Sequence, residues 1–410
     1  MNQRKYYVAS ICLAIIFILF TSPVSAKKLK IQMGDFQILP GIDYNGSYST
    51  NIYADDENKQ SDFIHTLTPS IRLEKKFASH NLISTGYSIG LVTYNDFQEN
   101  NSQDHQAFLS CDLEFPASGI AVNINDDYST TSNLLGTEDN EYGKGEKTGR
   151  WNNSLGFTAS YGFGDKYSLG LTYTNRIQRF DDDEDKWQDR FDHNYSISLS
   201  YHLTAKTSFF IQHDKLLAEY EKQNDGILDW NSGTSQDYTT DNYSVGVKLN
   251  PIGKLDGSAS FGYGMIKYDN IVDKSGQPYQ DDSSWIASAS LNYKMKNTNI
   301  SYKLQRSYKG SAEEDASSYV DTLTGVSLTQ DLGNRISCGA SFDKGYMDYS
   351  NGKSFDVYAF RTNLDWEIIK RFTTGFGYEY KKKEADDDKY QDDGYDTSNF
   401  FLSLGFSISF

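Results

Sequence analysis

Apolar and polar residues alternate with a period of two along most of this chain. The clearest case is the C-terminal stretch, where every second residue is apolar: Phe400, Leu402, Leu404, Phe406, Ile408 and Phe410. The residues between them are mostly small and polar, so a strand with this sequence has one apolar face and one polar face. Its length matches the roughly 9–11 residues with which a tilted strand crosses a bilayer. The pattern predicts a membrane-spanning β-strand.

The same alternation recurs upstream and indicates the fold class. Clear examples lie at residues 155–163, 195–203, 285–293 and 358–366. Counting such segments gives about 18 strands, with 16 or 20 as alternatives, because the boundaries of predicted elements are uncertain by a few residues. A sheet in lipid must close on itself, since an open edge would leave backbone N–H and C=O groups unpaired. The sequence therefore predicts an all-β fold, a transmembrane antiparallel β-barrel.

The connections between these segments alternate in length. Short ones lie around residues 115–118, 164–165, 204–205, 251–256, 296–297, 331–334 and 369–370. Long polar ones lie at about 126–150, 180–190, 214–241, 268–283, 308–318 and 381–396. Short periplasmic turns and long extracellular loops are typical of outer-membrane barrels, and an even number of strands puts both chain ends on the short-turn side. A soluble β-sandwich does not predict this alternation, and a β-solenoid would need a fixed repeat, which the chain lacks.

The N-terminal segment has the three parts of a secretory signal. Two basic residues precede an apolar run over residues 6–20, and small residues follow up to Ala26. The run is shorter than the ~20 residues of a membrane-spanning helix, which argues against the alternative of a membrane anchor. We expect a cleaved signal peptide over residues 1–26 and a single barrel domain over residues 27–410.

The charge of the chain limits its partners. The formal net charge is -17, and nucleic-acid binding is not expected because phosphate recognition needs a basic surface. Acidic runs at residues 181–185, 386–388 and 392–393 lie in the long connections, where solvated loops are the simplest interpretation. Two functional hypotheses are that they concentrate cations at a pore mouth, or bind divalent cations that bridge lipopolysaccharide phosphates. Cys111 and Cys338 are too few for a disulfide framework.

The inner face of the predicted barrel carries the candidate functional residues. A barrel of 16–18 strands encloses a water-filled lumen, and charged residues of both signs fall on the inward positions of the predicted strands. The pore-lining candidates are Arg72, Glu74, Asp112, Glu114, Arg176, Lys248, Lys294, Lys303, Asp343, Arg361, Asp365, Glu367 and Glu379. Because pore selectivity follows rings of one charge sign, this mixture argues against strong anion selectivity.

No motif in the chain predicts catalysis. The six histidines are scattered, and none lies in a nucleophile elbow or a paired-histidine metal motif. His202 falls on an inward position, where a general base is conceivable in principle because triads assemble in space. A polar wall residue is the simpler interpretation. We expect no enzyme activity, no cofactor and no metal.

Two stretches resemble known outer-membrane proteins. The alternating strand that ends on Phe410 resembles the C-terminal assembly signal of Gram-negative outer-membrane proteins. Residues 40–53 and 62–69 resemble the first two strands of a family of β-barrel porins that is often encoded beside exopolysaccharide-export genes. The resemblance to a barrel covers residues 36–410, and it implies a porin-like protein of the cell outer membrane of a Gram-negative-type bacterium. It brings no catalytic residues.

The expected function is passive transport. The leading interpretation is a porin-like channel for small hydrophilic solutes, with saccharides among the candidates. One alternative is an outer-membrane component of an exopolysaccharide export system, and another is a plugged structural or adhesive barrel. The expected partners are outer-membrane lipid and lipopolysaccharide, the barrel-assembly machinery and small hydrophilic solutes; polysaccharide-export proteins join them under the export alternative. The solute, the open or plugged state of the lumen and the oligomeric state stay open.

Overall fold

The chain folds into one continuous antiparallel sheet that closes into a barrel. The computed structural model describes residues 31–407 apart from 56, 79–80, 135–146, 184, 221–236, 251–252, 270–280, 311–317, 370–371 and 387–393. The predicted signal peptide and the last two residues of the predicted assembly signal, Ile408 and Phe410, lie outside the described residues. None of the helices in the described ranges is long and apolar enough to cross a membrane.

The strands follow one another along the chain with short breaks. Their bounds are β1 (Ile31–Met33), β2 (Phe36–Ser49), β3 (Asp62–Phe77), β4 (Asn81–Tyr94), β5 (Ser102–Phe115), β6 (Ile120–Thr131), β7 (Arg150–Phe163), β8 (Tyr167–Phe180), β9 (Arg190–His202), β10 (Thr207–Tyr220), β11 (Tyr238–Leu249), β12 (Leu255–Tyr268), β13 (Asp282–Lys294), β14 (Thr298–Gly310), β15 (Ser318–Asp331), β16 (Ile336–Tyr349), β17 (Ser354–Ile369), β18 (Phe372–Ala385) and β19 (Tyr395–Ser407). Two single-turn 3₁₀ helices lie at Gln98–Asn100 and Lys186–Gln188.

Each strand from β2 to β19 pairs with its neighbours in the chain, and β19 also pairs with β2. The closing contact runs from Asn399 opposite Ser49 to Ser407 opposite Gly41. Closure removes every sheet edge, which is the condition for a sheet to exist in lipid. The predicted barrel of about 18 strands is confirmed. The sequence did not predict β1, a short addition that pairs with the start of β2.

The two rims of the barrel differ as predicted. Eight connections of two to five residues lie at one end, which we call the short-turn rim, and β2 begins and β19 ends there. Gly119 and Gly164 take positive φ angles of 68° and 61° in two of these turns, a conformation that glycine adopts without strain. The opposite end, the long-connection rim, holds the longer segments between strands. Residues 350–353 are an exception, because they form a short turn at that rim.

The outer face carries the apolar half of the alternation. Phe157 and Tyr161 on β7 are about two-fifths to half exposed, and their neighbours in register are Ile124 and Ile120 on β6 and Tyr173 and Leu169 on β8. Side chains with that exposure and that chemistry face lipid in a membrane barrel. Cys111 and Cys338 share this face in register with the apolar residues.

At the long-connection rim the polarity of the sheet is inverted. Phe355 and Val357 of β17 point into the barrel and are buried, whereas Asp356 between them points outward and forms an ion pair of 3.1 Å with Lys344. Barrel strands have 12 to 16 residues, more than the roughly 9–11 that cross a bilayer, so their ends extend beyond it. Outside the lipid the outer face meets water and the inner face becomes a packed core.

This inversion corrects the predicted limits of the long connections. Residues 126–131, 214–220, 238–241 and 381–385 belong to strands, although the sequence predicts them as loop. Their charged residues resemble a solvated loop in the sequence. The reason is that, beyond the lipid-crossing part of each strand, the apolar residues lie on the inner face and the charged residues on the outer face. At the other rim, the predicted turn at 251–256 is shorter, since β12 begins at Leu255.

Candidate functional site

All thirteen predicted pore-lining candidates have inward positions in the register. The outward positions are fixed by exposed apolar residues, and each candidate lies one residue away from such a position on its strand. Six of the candidates are basic and seven are acidic. The predicted set therefore contains nearly equal numbers of the two signs. A pore-lining role for these residues stays a prediction, which the experiments below address.

Four of the candidates form a continuous ladder of ion pairs across neighbouring strands. Lys303 Nζ lies 3.0 Å from Asp343 Oδ1, and Arg361 Nη1 lies 3.5 Å from Asp343 Oδ2. Arg361 also donates a hydrogen bond from Nε to Oε1 of Glu379. The ladder runs from β14 to β18 and leaves each charge with an opposite charge beside it.

The ladder crosses β15 at a glycine. Gly325 lies opposite both Lys303 and Asp343 in the register. A Cβ at this position would lie 2.6 Å from Cε of Lys303 and would overlap the Asp343 carboxylate. Only a residue without a side chain lets the lysine reach past β15 to its partner.

Beside the ladder, glycines let neighbouring side chains lie against the wall. Each of these side chains covers the position that a glycine Cβ would occupy: Phe401 over Gly377, Asn363 over Gly339, and Asp365 with Ser403 over Gly375. Next to them, Lys381 Nζ lies 3.6 Å from Glu379, and Asn399 Nδ2 donates to Glu379 Oε2 at 3.4 Å. Around these glycines the wall from β16 to β19 is therefore flat and densely polar, and the ring of Phe401 lies within it.

The other candidates are distributed around the wall. Four have nearby partners: Arg72 and Glu74 pair with each other at 2.9 Å, Lys294 pairs with Asp256 at 2.7 Å, and Asp112 accepts a hydrogen bond of 2.6 Å from Asn123. The register places Glu114, Arg176, Lys248 and Glu367 on the inner faces of β5, β8, β11 and β17, away from the ladder. The structure thus brings together only part of the predicted set.

His202, the one histidine weighed as a base, is a wall residue with both ring nitrogens engaged. Nδ1 is 2.8 Å from the hydroxyl of Ser208, and Nε2 is 3.1 Å from the hydroxyl of Ser168. Through these two hydrogen bonds the His202 side chain links β9 to β10 and to β8 near the short-turn rim. Across the described residues, no group of three or more histidine, cysteine or acidic side chains is arranged to hold a metal ion.

The base of the connection between β6 and β7 reaches across the barrel mouth. Leu134 and Lys147 form an isolated bridge, and the buried guanidinium of Arg150 donates to the carbonyls of Asn133, Leu134 and Thr148. Lys147 donates to the hydroxyl of Tyr94, and its ammonium lies 4.2 Å from the centre of that ring. Because Tyr94 is an inward residue of β4, this base lies inside the mouth over the β4–β5 wall.

Burial affects the protonation of the Lys147 side chain at that contact. Removal from water lowers the pKa of Lys147 to about 8, and the carboxylates of Asp104 and Asp62 oppose the shift only in part. At neutral pH the lysine still carries its charge most of the time.

Two apolar clusters narrow the same mouth. One consists of Tyr319, Met347, Tyr349, Phe355 and Val357, and the other is built on Ala218, Tyr238 and Ile266. Phe355 and Ile266 are 0% exposed, so water does not reach the inner face at these points. The inner face at the long-connection end of the lumen is therefore partly apolar, unlike the polar wall around the ladder.

Several functional residues were missed from the sequence. Asn399 and Lys381 belong to the polar wall, Gly325 makes the ladder possible, and Lys147 anchors the base of a connection. The sequence contains a signal for Asn399 and Lys381, because both fall on inward positions of their strands. No local pattern indicates Gly325 or Lys147, because both act through residues distant in sequence. Of the acidic runs, Asp387, Asp388, Asp392 and Asp393 lie outside the described residues.

Several solved structures are similar to the chain. OpdK from Pseudomonas aeruginosa, solved with vanillate, is 9% identical with a TM-score of 0.48, covering 90% of this chain and 98% of OpdK. OccK5 (OpdH) from the same organism is 10% identical with a TM-score of 0.47, covering 91% and 98%. For the FrpB iron transporter from Neisseria meningitidis (F3-3 variant) the identity is 8% and the TM-score 0.45, and the match covers 85% of this chain but 62% of the transporter. The chain thus spans less than two thirds of that transporter's length. No curated protein sequence matches the chain.

One family model matches the chain along almost its whole length. The family is described as Putative beta-barrel porin 2, and its model matches residues 28–406. That range holds β1 to β18 and all but the last residue of β19. The match therefore covers the whole barrel and not a local motif.

Proposed function

The chain belongs to the Putative beta-barrel porin 2 family, and from this premise we propose that it is an outer-membrane channel for the passive diffusion of small hydrophilic solutes, saccharides among them. A closed barrel with an exposed apolar outer face is an outer-membrane protein. The finer statements, transport and the class of solute, are our proposal.

The observation that carries the proposal is the polar, charged inner wall. The ladder through Asp343 and Arg361 lies where a packed barrel would have apolar side chains, and Lys303 and Arg361 are each about half exposed. Charged groups that are half exposed inside a barrel need water around them, because their desolvation without full pairing is unfavourable. An 18-strand barrel has room for such a channel.

The mechanism we propose is size exclusion combined with wall electrostatics. The base of the β6–β7 connection and the apolar clusters narrow the mouth, and the paired charges below them favour neutral or zwitterionic solutes over ions of either sign. The proposal includes no catalysed reaction and no cofactor.

Single-channel conductance of the refolded mature protein in a planar bilayer tests the proposal. Stable steps of current with weak ion selectivity support an open diffusion channel. A barrel that is folded, as shown by its altered electrophoretic mobility before heating, and yet carries no current overturns it.

A barrel closed at its mouth is the second candidate. The buried apolar clusters, with Phe355 and Ile266 fully buried on the inner face, are the specific observation in its favour. The same experiment separates the two candidates, because a closed barrel shows the folded mobility without conductance.

A further inference from the structure

The inner wall contains a phenyl ring in an otherwise polar, flat region. We call Arg361, Glu379, Asn399 and Phe401 the β17–β19 shelf. Phe401 lies opposite Gly377 on β18, and its ring covers the position of a Cβ on that glycine. The ring therefore leans sideways across the neighbouring strand and lies over the backbone of Gly377 on the lumen side of the sheet.

Hydrogen-bonding groups surround this ring. Glu379 lies two residues from Gly377 on the same face of β18, and Asn399 lies two residues from Phe401 on the same face of β19. Arg361 is directly opposite Glu379 and donates to its carboxylate, and the amide of Asn399 donates to the same carboxylate at 3.4 Å. The shelf thus offers one apolar platform, a carboxylate acceptor and two kinds of N–H donor on neighbouring inward positions of three adjacent strands.

These groups define a class of ligand. A pyranose ring has C–H groups on its faces and hydroxyls around its rim. The C–H groups pack on the electron-rich face of an aromatic ring, while the hydroxyls donate to a carboxylate and accept from guanidinium or amide N–H groups. Sites of this kind combine an apolar contact with a few placed polar groups.

Charge narrows the class further. Each charge beside the shelf already has partners of the opposite sign: Arg361 lies between the carboxylates of Asp343 and Glu379, and these also pair with Lys303 and Lys381. A charged ligand would have to compete with these ion pairs, whereas a neutral ligand can form hydrogen bonds with the same groups and leave the pairs in place. We propose that the β17–β19 shelf binds the sugar rings of neutral saccharides as they pass through the channel. This inference rests on the proposed diffusion function and adds to it the substrate class and the binding site.

Two other inner phenylalanines give matched comparisons. Phe108 covers Gly86 and Phe210 covers Gly246 in the same manner. The guanidinium of Arg72 lies over the Phe108 ring, 5.5 Å from its centre, and Phe210 lies on β10, on the other side of the barrel from the shelf. Covering a glycine with an aromatic ring also stabilises a strand pair, and that purely structural role applies to all three rings.

The test is block of single-channel current by maltohexaose, a neutral hexamer of glucose, in the full-length mature protein. We expect block of the wild-type channel and a roughly fivefold weaker apparent affinity in Phe401→Leu, because leucine keeps apolar volume but loses the flat face. Phe210→Leu and Phe108→Leu should keep wild-type affinity. If Phe401→Leu fails to fold, Glu379→Gln keeps the ring and removes a charged acceptor, and it should also weaken block by about fivefold.

The outcomes separate this inference from the diffusion function. A conducting channel that maltohexaose does not block, or that it blocks equally in wild type and Phe401→Leu, overturns the shelf as a sugar site and leaves the channel standing. Stronger block by hexagalacturonate than by maltohexaose overturns the neutral class. If the folded barrel carries no current, the diffusion function fails. Calorimetric titration with maltohexaose then decides the inference: binding weakened in Phe401→Leu supports it, and no binding overturns it.

Discussion

Among single residues, Lys147 shows how a few contacts tie a connection to the barrel wall. Its ammonium packs against the ring of Tyr94, and burial lowers its pKa from 10.5 to about 8. Between pH 8 and 10.5 the unfolded chain therefore holds a proton on this lysine that the folded chain has lost. The free energy of unfolding consequently rises with pH across that window, and the penalty for burying the charge is fully present below pH 8.

Competitive labelling of Lys147 tests this shift. Its reactivity toward a limiting amount of acetic anhydride, followed by mass spectrometry, should reach half its maximum near pH 8 in the folded barrel, whereas in urea it should follow the ordinary lysine value. In Asp104→Asn the midpoint should fall further, because the Asp104 carboxylate raises the lysine pKa. A folded-state midpoint equal to that in urea would show that Lys147 is not held against the wall.

At this scale the sequence predicts the face of a residue but not its partner. The period of two placed Lys303, Asp343, Arg361 and Glu379 on the inner wall, as the register shows. Their joining into one ladder depends on which residues lie opposite one another, and a slip of two residues between strands leaves every face unchanged. The ladder also depends on Gly325, whose only contribution is the absence of a side chain.

At the scale of elements, the strands are longer than the lipid-crossing pattern indicates. The predicted connections were too long because the polarity of the faces inverts beyond the bilayer, as in the β17 residues Phe355 and Asp356. Strand count and connection order were predictable, since the lipid-crossing parts share one pattern. The strand ends were not, since the buried inner clusters there form between strands that are adjacent only in the closed barrel.

The seam between β13 and β14 shows how a side chain extends strand pairing. The backbone register of this pair runs only from Ala287 opposite Arg306 to Lys294 opposite Asn299, whereas β14 pairs with β15 along its whole length. Where the register ends, the Arg306 guanidinium donates to Ser284 at 3.2 Å and to Thr322 at 2.7 Å. The guanidinium carbon of Arg306 also lies 4.4 Å from the centre of the Trp285 ring on β13. The arginine therefore joins β13 to β14 and β15 beyond the point where the backbone pairing of β13 with β14 ends.

Replacing Arg306 with methionine should therefore loosen the long-connection end of this seam. We expect a loss of about 1–3 kcal/mol in unfolding free energy, from two charged hydrogen bonds and a cation–π contact. Hydrogen exchange of residues 282–286 in detergent micelles should accelerate. Arg306→Lys should give part of the loss, because lysine lacks the planar fork. Lys303→Met, a change on the inner face of the same strand, should leave that exchange unchanged. Equal acceleration in both variants would contradict the proposed role of Arg306 in joining β13 to β14.

For the whole molecule, closure turns a local alternation into a channel with a defined electrostatic wall. The chain carries a formal charge of -17, yet the inner ladder is nearly balanced, because Lys303 and Arg361 each lie beside acidic partners. The ladder therefore adds no net charge to the inner wall. We therefore expect ion selectivity to depend on the charges of the inner wall and not on the formal net charge of the chain.

Removing one charge from the inner wall distinguishes the effect of the wall charges on ion selectivity from the effect of the net charge of the chain. Arg361→Gln leaves Asp343 and Glu379 without their shared cation, so the channel should prefer cations more strongly, by about twofold in the permeability ratio, as expected for a unit charge roughly 10 Å from a passing ion in water. Lys344→Gln removes a positive charge from the outer face of β16, next to Asp343 in the sequence, where it pairs with Asp356, and should leave the ratio unchanged. The reversal potential in a potassium chloride gradient measures both. An equal shift in the two variants would mean that net charge controls selectivity. A shift in Arg361→Gln alone would locate the control in the inner wall, because both substitutions remove one positive charge and they take it from opposite faces of the sheet.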